Sequence, residues 1–188
     1  MNESDEALMA ALAGGDRSAF ERLYARHKGM MFNYFLRATG ERELSEELFQ
    51  ELFLRVFDGR ARYEPRRPFR VWLFTLARNL LRDRWRQLGR LPRWEEGAET
   101  DVGPDTETIC SEREQAGRVR AAVLSLPPAL REALVLSRYH GLSFAEVGEI
   151  VECSEGAARV RLFRALERLR QLLPPDAAPA RAAGGSRS

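Results

Sequence analysis

The sequence is poor in the residues on which most catalytic and metal sites depend. It holds two histidines and two cysteines in 188 residues, and Cys110 and Cys153 lie far apart without a C-x-x-C or Cys/His spacing. Neither a disulfide framework nor a zinc site is therefore predicted, and an inert thiol is favoured over a reactive one. Phosphate-binding loops and nucleophile motifs are missing as well, so we predict that the chain is no enzyme and carries no cofactor or metal.

Long apolar runs are also missing. No window approaches the roughly 18 uninterrupted apolar residues of a membrane-spanning helix. The acidic N-terminus lacks the basic start, apolar run and cleavage site of a secretory signal. We therefore expect a cytoplasmic protein without membrane insertion, and the apolar content of 44% suffices for one ordinary core or two small ones.

The net charge is small, at +2, but the charged residues are distributed in blocks of one sign. Residues 60–90 carry a net charge of +8, residues 91–114 carry −6, and residues 115–173 carry +3. Two basic segments separated by an acidic one indicate two nucleic-acid contacts joined by a spacer. The spacer has no apolar periodicity, which predicts a flexible acidic linker, and the Ala-, Gly-, Pro- and Ser-rich tail 174–188 is predicted to be disordered.

The stretch 142–173 predicts two helices joined by a tight turn. Ser143 and Glu146 form the capping-box pattern S-x-x-E at the start of the first helix, and Ser154 caps the second after a turn at 152–153. Two preceding helices, which end at Pro127 and at His140, would brace this pair. A capped helix, a short turn and a capped basic helix indicate a DNA-reading helix-turn-helix.

One arc of the second helix is apolar and predicted to be core. The neighbouring arc lies in the first half of the helix, which a recognition helix inserts into the major groove. There arginines would pair with guanine edges or phosphates, and apolar side chains would touch thymine methyl groups. An ordinary amphipathic helix with a solvated arginine face is the alternative. The arc consists of Gly156, Arg159, Val160, Phe163 and Arg164.

The first 90 residues predict four helices, over about 5–13, 16–39, 42–58 and from Pro68 onward. The third presents acidic and amide groups beside a ridge of phenylalanines, a face that is usually solvated but also suits a basic partner helix. The fourth, which is lysine-poor and crowded with arginines near Tyr63, Trp72 and Trp85, suits a phosphate backbone and stacked bases. A core role for Trp72 and a solubility role for the arginines is the alternative.

Six blocks carry a family resemblance. They are D-R-S-A-F-E-R-L-Y (16–24), S-E-E-L-F-Q-E-L-F (45–53), P-F-R-V-W-L-F-T-L-A-R-N-L-L-R-D-R-W-R (68–86), L-P-P-A-L-R-E-A-L-V-L (126–136), G-L-S-F-A-E-V-G-E-I (141–150) and S-E-G-A-A-R-V-R-L-F-R-A-L-E-R-L-R (154–170). In their order and spacing the chain resembles the extracytoplasmic-function (ECF, group 4) sigma factors of the bacterial sigma-70 family, which are initiation subunits of RNA polymerase. The resemblance covers residues 16–173.

The resemblance implies an all-α fold of two small helical domains joined by a flexible acidic linker. These would be a sigma region 2-like domain (1–90), the linker (91–113), a region 4-like helix-turn-helix domain (114–173) and the tail. The implied function is transcription initiation, with core RNA polymerase and promoter DNA as partners and an anti-sigma factor as a further partner that the resemblance leaves open. A stand-alone helix-turn-helix regulator is the alternative.

The resemblance also assigns sites, residue by residue. Polymerase docking would use Glu46, Glu47, Leu48, Gln50 and Glu51. The minus-10 element would be read by Arg60, Arg62, Tyr63, Arg70, Trp72, Arg78 and Asn79. The minus-35 element would be read by Arg159, Val160, Phe163 and Arg164. The family's recognition helix often reads T-V-K-S-R where this chain has residues 157–161 (A-A-R-V-R), and because valine cannot donate a hydrogen bond, any base readout at Val160 must be apolar.

Overall fold

The computed structural model describes residues 3–89 and 112–173, and every regular element within these ranges is helical. A 3-10 turn lies at Arg60–Arg62, and a π-helical turn at Val135–Tyr139 continues the sixth helix up to His140. The all-α class with two domains is confirmed, while most of the predicted linker and the tail lie outside the described residues. The α-helices are α1 (Asp5–Ala13), α2 (Arg17–Thr39), α3 (Arg42–Asp58), α4 (Phe69–Gln87), α5 (Glu112–Ser125), α6 (Pro128–Leu134), α7 (Phe144–Val151) and α8 (Glu155–Leu172).

Helices α1 to α4 form the first domain. The Ser4 hydroxyl accepts a hydrogen bond from the Ala7 N–H and caps α1, and the Asp16 carboxylate accepts from the Ser18 N–H at 2.9 Å and caps α2. Helix α2 ends at Gly40, whose φ of 76° lies in the left-handed region that favours glycine. The predicted inner stripe of α3 is buried as expected, at Leu44, Leu48, Leu52 and Val56.

Helix α4 begins one residue later than predicted. Pro68 is the residue before the helix, with an extended ψ of 132°, rather than part of its first turn. The carboxylate of Glu6 in α1 accepts the Phe69 N–H at 2.9 Å and so satisfies a donor at the helix start. This hydrogen bond also lowers the pKa of Glu6. The start of α4 is therefore set by a long-range contact with α1. The local sequence pattern had predicted this start from the preference of proline for the first helical turn.

Helices α5 to α8 form the second domain, in which α7 and α8 are the helix-turn-helix. The Glu146 carboxylate accepts the Ser143 N–H at 2.8 Å while the Ser143 hydroxyl accepts the Glu146 N–H at 3.3 Å, which confirms the capping box. A Cβ on Gly148 would lie 2.7 Å from the Cys153 carbonyl oxygen. The tight turn between the helices therefore requires glycine at this position.

The two domains pack directly against each other. Helix α2 lies against α5 and the π-helical turn, and α4 lies against α7. The buried side chains of both domains form one continuous apolar core. The acidic segment between the domains consequently joins two bodies that touch in this structure, not two separated ones.

Candidate nucleic-acid interface

Helix α8 presents the predicted reading arc to solvent. Arg159 and Arg164 are exposed, Val160 is 48% exposed and Phe163 is 58% exposed. The opposite side of the helix is core, as predicted, with its buried residues at Ala158, Leu162, Ala165 and Leu169. The arc is therefore available as a whole to a partner that approaches the first half of α8.

The two arginines of this arc differ in their surroundings. The Arg159 guanidinium donates to the Glu155 carboxylate at 3.0 Å and lies 5.2 Å from the centre of the Phe144 ring. Both contacts draw it toward the helix start and α7. Arg164 makes no ion pair within residues 3–89 and 112–173, so its charge is the more available of the two.

The predicted minus-10 residues before α4 form a partly exposed aromatic and basic cluster. The Arg60 guanidinium donates to the Phe57 carbonyl at 2.6 Å and lies 4.3 Å from the centre of the Phe57 ring. Tyr63 lies 5.2 Å from Trp72, between centres in an edge-on arrangement, and burial raises the pKa of Tyr63 to about 12. Trp72 is half-buried and Arg62 is exposed, so both are accessible in part to a partner.

Within α4 the predicted residues divide. Asn79 is exposed, but Arg78 is 5% exposed, and its Nε donates to Oε1 of Glu132 in the second domain at 2.8 Å. Arg70 donates to the backbone carbonyl of His140. In this structure Arg78 is not accessible to DNA, because its guanidinium is occupied by a buried ion pair.

The predicted docking face on α3 is mostly exposed, at Glu46, Glu47 and Gln50. Leu48 is 0% exposed and lies in the inner stripe beneath this face, so it does not contribute to the exposed docking surface. The carboxylates are matched by arginines of the same domain. Glu46 pairs with Arg42 at 2.9 Å, Glu51 with Arg55 at 2.6 Å, and Glu47 with Arg84 of α4.

Sequence reasoning missed the residues that join the domains. Burial raises the pKa of Glu132 to about 7 even though Arg78 lowers it, and burial lowers the pKa of His140 to about 4, with Arg37 and Arg70 contributing. The sequence does contain a signal that Glu132 is unusual, because Glu132 is the acidic residue within the apolar block 126–136. For His140 the sequence held no comparable signal.

Other chemistry is sparse in the described residues. Over 3–89 and 112–173, no three histidine, cysteine or carboxylate side chains gather in a geometry that could hold a metal ion. No helix in these ranges combines the length and apolar character needed to cross a bilayer. Cys153 is a half-buried free thiol in the turn of the helix-turn-helix, and Cys110 lies outside the described residues.

Comparison with known proteins matches both domains. The model of "Sigma-70 region 2" matches residues 23–91, and that of "Sigma-70, region 4" matches residues 116–169. The chain is 36% identical over 165 residues to the RNA polymerase sigma factor CarQ of Myxococcus xanthus, which covers 88% of this chain and 95% of CarQ. It is 32% identical over 179 residues to the ECF sigma factor SigE of Mycolicibacterium smegmatis, covering 90% and 69% respectively.

Solved structures agree with this match. The sigma factor CnrH, solved in complex with the cytosolic domain of CnrY, has a TM-score of 0.70 at 28% identity, over 94% of this chain and 100% of that one. RpoE of Bartonella quintana, solved with the anti-sigma factor NepR, has a TM-score of 0.66 at 22% identity and covers 84% of this chain and 98% of that chain. The second likeness supports the fold.

Two helical domains, one with an outward-facing helix-turn-helix and one with a basic helix, define a promoter-recognition protein. The chain belongs to the sigma-70 family, among its extracytoplasmic-function sigma factors. It is a transcription initiation factor that binds RNA polymerase and directs it to promoters, and its family is one of transcription factors rather than enzymes.

Proposed function

We propose that α8 reads the minus-35 element and that the cluster before α4, with the exposed part of α4, binds the minus-10 element. The observation that carries this proposal is the arc of α8, where two arginines and two apolar side chains are exposed on the half of a recognition helix that enters the major groove. Arg62, Tyr63, Trp72 and Asn79 supply accessible basic, aromatic and amide groups for the second element. Arg60 adds a cation held against the Phe57 ring.

The exposed face of α3 is the proposed docking site for core RNA polymerase. Glu46, Glu47, Gln50 and Glu51 share this face with Leu54, which is 64% exposed. A carboxylate face with an exposed apolar residue at its C-terminal end suits a basic amphipathic partner helix. The arginines that pair with these carboxylates lie in the same exposed region. Because surface ion pairs contribute little to stability, cations of the polymerase can replace these arginines at small cost in free energy.

We further propose the domain limits 1–90 and 114–173, with 91–113 as a connecting segment and 174–188 as a tail. The chain would act in the cytoplasm, where core polymerase is found, as a binding protein without catalytic chemistry. An anti-sigma factor is a further proposed partner, because CnrH, which this chain matches over the whole length of CnrH, is solved with the cytosolic domain of CnrY.

The decisive experiment compares promoter binding with and without core polymerase. The chain alone should bind promoter duplex weakly, and the chain with core should bind it tightly and start transcription at one position. Tight binding of duplex by the chain alone, with no gain from core, would identify a stand-alone regulator. The same promoter with a scrambled minus-35 element is the specificity control.

The docking surface is tested by Glu47→Lys combined with Gln50→Ala. Both side chains are exposed, so the variant should fold, but the lysine places a positive charge toward a basic partner and next to Arg84. We expect a loss of core affinity of about 1 kcal/mol or more, measured by titration of labelled chain with core. Glu21→Lys, on the exposed side of α2, makes the matched charge change and should leave core affinity unaltered.

A further inference from the structure

Two apolar side chains stand at the centre of the α8 reading arc. Val160 and Phe163 are about half exposed and lie almost one turn apart, whereas the other large apolar residues of the helix-turn-helix are buried or partly buried. Neither side chain donates or accepts a hydrogen bond. What this part of the helix recognises must therefore present apolar surface.

Base edges offer one such group in the major groove. Thymine carries a C5 methyl group there, while the remaining recognition features of the four bases are hydrogen-bond donors and acceptors. The Arg159 guanidinium pairs with Glu155 and lies over the Phe144 ring, whereas Arg164 makes no ion pair within the described residues, so Arg164 is the more available cation of this arc for guanine or phosphate. The arc thus combines two apolar contacts with one cationic contact.

We propose that Val160 and Phe163 read the methyl groups of thymines in the minus-35 element, with Arg164 as the polar contact beside them. The inference rests on the proposed function of α8 and adds the chemistry of its target. Val160 sets this chain's preference for a methyl group, because a polar side chain there would instead read a donor or acceptor.

Uracil substitution tests the inference, because it removes the methyl group and keeps the hydrogen-bonding edge. A minus-35 duplex is first selected by the holoenzyme from a randomised pool, and each thymine is then replaced singly by uracil. At one or two positions the affinity should fall about fourfold, the effect of one buried methyl-sized group. In Val160→Ala with Phe163→Ala the same substitutions should have no effect, and Glu167→Ala, on the exposed C-terminal half of α8, should behave as wild type.

The outcomes distinguish methyl reading by Val160 and Phe163 from the broader role of α8 in minus-35 recognition. Unaltered affinity with uracil at every position, while binding still depends on the minus-35 sequence, overturns methyl reading and leaves the role of α8 intact. No dependence on the minus-35 sequence overturns the role of α8 itself. A double variant that loses core affinity in the absence of promoter overturns methyl reading in favour of polymerase docking by these side chains.

A separate observation concerns the contact between the domains. The pair Arg78 and Glu132 lies 2.8 Å apart across it, with side chains 6% and 8% exposed. Glu132 Oε2 has no hydrogen-bond partner within the described residues. A buried ion pair with an unsatisfied oxygen recovers only part of its desolvation cost, so this contact can be exchanged for another.

Further contacts surround the pair. Arg67 and Glu149 lie 3.0 Å apart, and the His140 ring packs 5.0 Å from the Phe74 ring, between centres. At the C-terminal end of α2, Arg131 donates to the Ala38 carbonyl and Arg120 to the Gly40 carbonyl, both at 2.9 Å. These cations meet the negative end of the α2 dipole. A Cβ on Gly40 would lie 2.7 Å from Leu124 of α5, so glycine permits the close approach.

We infer that this closed contact masks part of the basic face of α4 in the chain without polymerase. Four arginines of the first domain are bonded to groups of the second domain, while the reading arc of α8 stays exposed: Arg67, just before α4, and Arg70, Arg78 and Arg82 on α4. DNA and the second domain therefore compete for the same four arginines. Opening the contact makes them available to promoter DNA.

Charge reversal tests the closed contact. Glu132→Arg should open it by repulsion from Arg78, which raises the radius of gyration of the full chain in X-ray scattering. The affinity of the chain for a fluorescent single-stranded minus-10 oligonucleotide should increase by a factor equal to the inverse of the wild-type open fraction. This factor is about ten if one wild-type molecule in ten is open. Glu21→Arg makes the same charge change on exposed α2 and should alter neither quantity beyond its own electrostatic effect.

The exchanged pair Arg78→Glu with Glu132→Arg should restore the small radius, since it restores an opposite-charge pair at the same place. Circular dichroism establishes that each variant is folded. An extended wild-type chain overturns the inference, and so does a folded Glu132→Arg variant with unaltered radius and oligonucleotide binding.

Discussion

Helices α4 and α8 have similar compositions but very different surroundings. Both are amphipathic and arginine-rich, and both belong to a proposed DNA-binding surface. Arg70 and Arg78 of α4 are bonded to the second domain, whereas Arg159, Val160, Phe163 and Arg164 of α8 remain exposed. An arginine-rich helix face is therefore not by itself an available one, because the protein's own carbonyls and carboxylates compete for its guanidinium groups.

The largest effect on stability is expected from removing the charge of Arg78, which lies in the contact between the two domains. Arg78→Ala leaves Glu132 buried without its partner, and breaking a buried pair in this way costs about 3 to 5 kcal/mol. Urea unfolding at pH 8 measures the loss. Arg86→Ala is the control, because its pair with Asp83 is on the surface, with side chains 59% and 46% exposed, and should change stability by less than about 0.5 kcal/mol. A loss below about 1 kcal/mol in Arg78→Ala would contradict a central role for the pair.

The presentation of α8 depends on the turn that precedes it. Gly148→Ala places a methyl group against the Cys153 carbonyl, which cannot move without shifting the turn, and we expect a loss of about 1 to 3 kcal/mol in the second domain. Gly156→Ala has open space, its nearest atom being 4.0 Å away, and should be neutral or stabilising by less than about 1 kcal/mol. Equal stability of the two variants in thermal unfolding would show that the turn tolerates a side chain.

The arginines of α8 should not be equivalent. Arg164→Ala is expected to cost about 1 to 3 kcal/mol in binding to the minus-35 element if it contacts a base. Arg159→Ala should cost less, because Glu155 and Phe144 already hold its guanidinium. Holoenzyme titrations of promoter DNA at several salt concentrations measure both, since a phosphate contact lowers the salt slope by about one unit. A larger loss for Arg159→Ala would reverse the comparison.

Local patterns predicted most of the helices. The capping box at Ser143 and Glu146, the stop at Gly40 and the inner stripe of α3 follow from interactions within a few residues, so the sequence reveals them directly. The reading arc of α8 was predictable for the same reason. Its exposed and buried sides alternate with the helical period, and no distant residue among those that the structure describes covers it.

Long-range contacts account for what the sequence did not reveal. Glu6 sets the start of α4 from a distance of 63 residues, and Glu132 occupies Arg78 from a distance of 54. Neither pairing has a periodic signature, because each depends on how complete helices pack. Leu48 is buried although it lies within the predicted docking set, because a motif shared with a family marks a whole helix and does not separate its docking side from its core side.

The smallest effect concerns pH and the closed contact, in which two groups oppose each other. Burial in the contact lowers the pKa of His140 to about 4 from 6.5, so its stabilising contribution is present above pH 6.5 and is lost as the pH falls toward 4. Burial raises the pKa of Glu132 to about 7 from 4.5, so its contribution is present below pH 4.5 and is lost as the pH rises through 7. The arginines that face them are Arg37 and Arg70 at His140, and Arg78, Arg82 and Arg161 at Glu132.

Between pH 5 and 6.5 these contributions act in opposite directions, so the closed fraction of the wild type should change little. His140→Phe keeps an aromatic ring between Tyr34 and Phe74 and removes the first titration, and its closed fraction should rise as the pH falls from 8 to 5. Glu132→Gln keeps a hydrogen-bond acceptor for Arg78 and removes the second, and its closed fraction should fall over the same range. X-ray scattering of both variants across pH measures the two slopes. Slopes of the same sign would mean that at least one of these side chains is not buried by the contact between the domains.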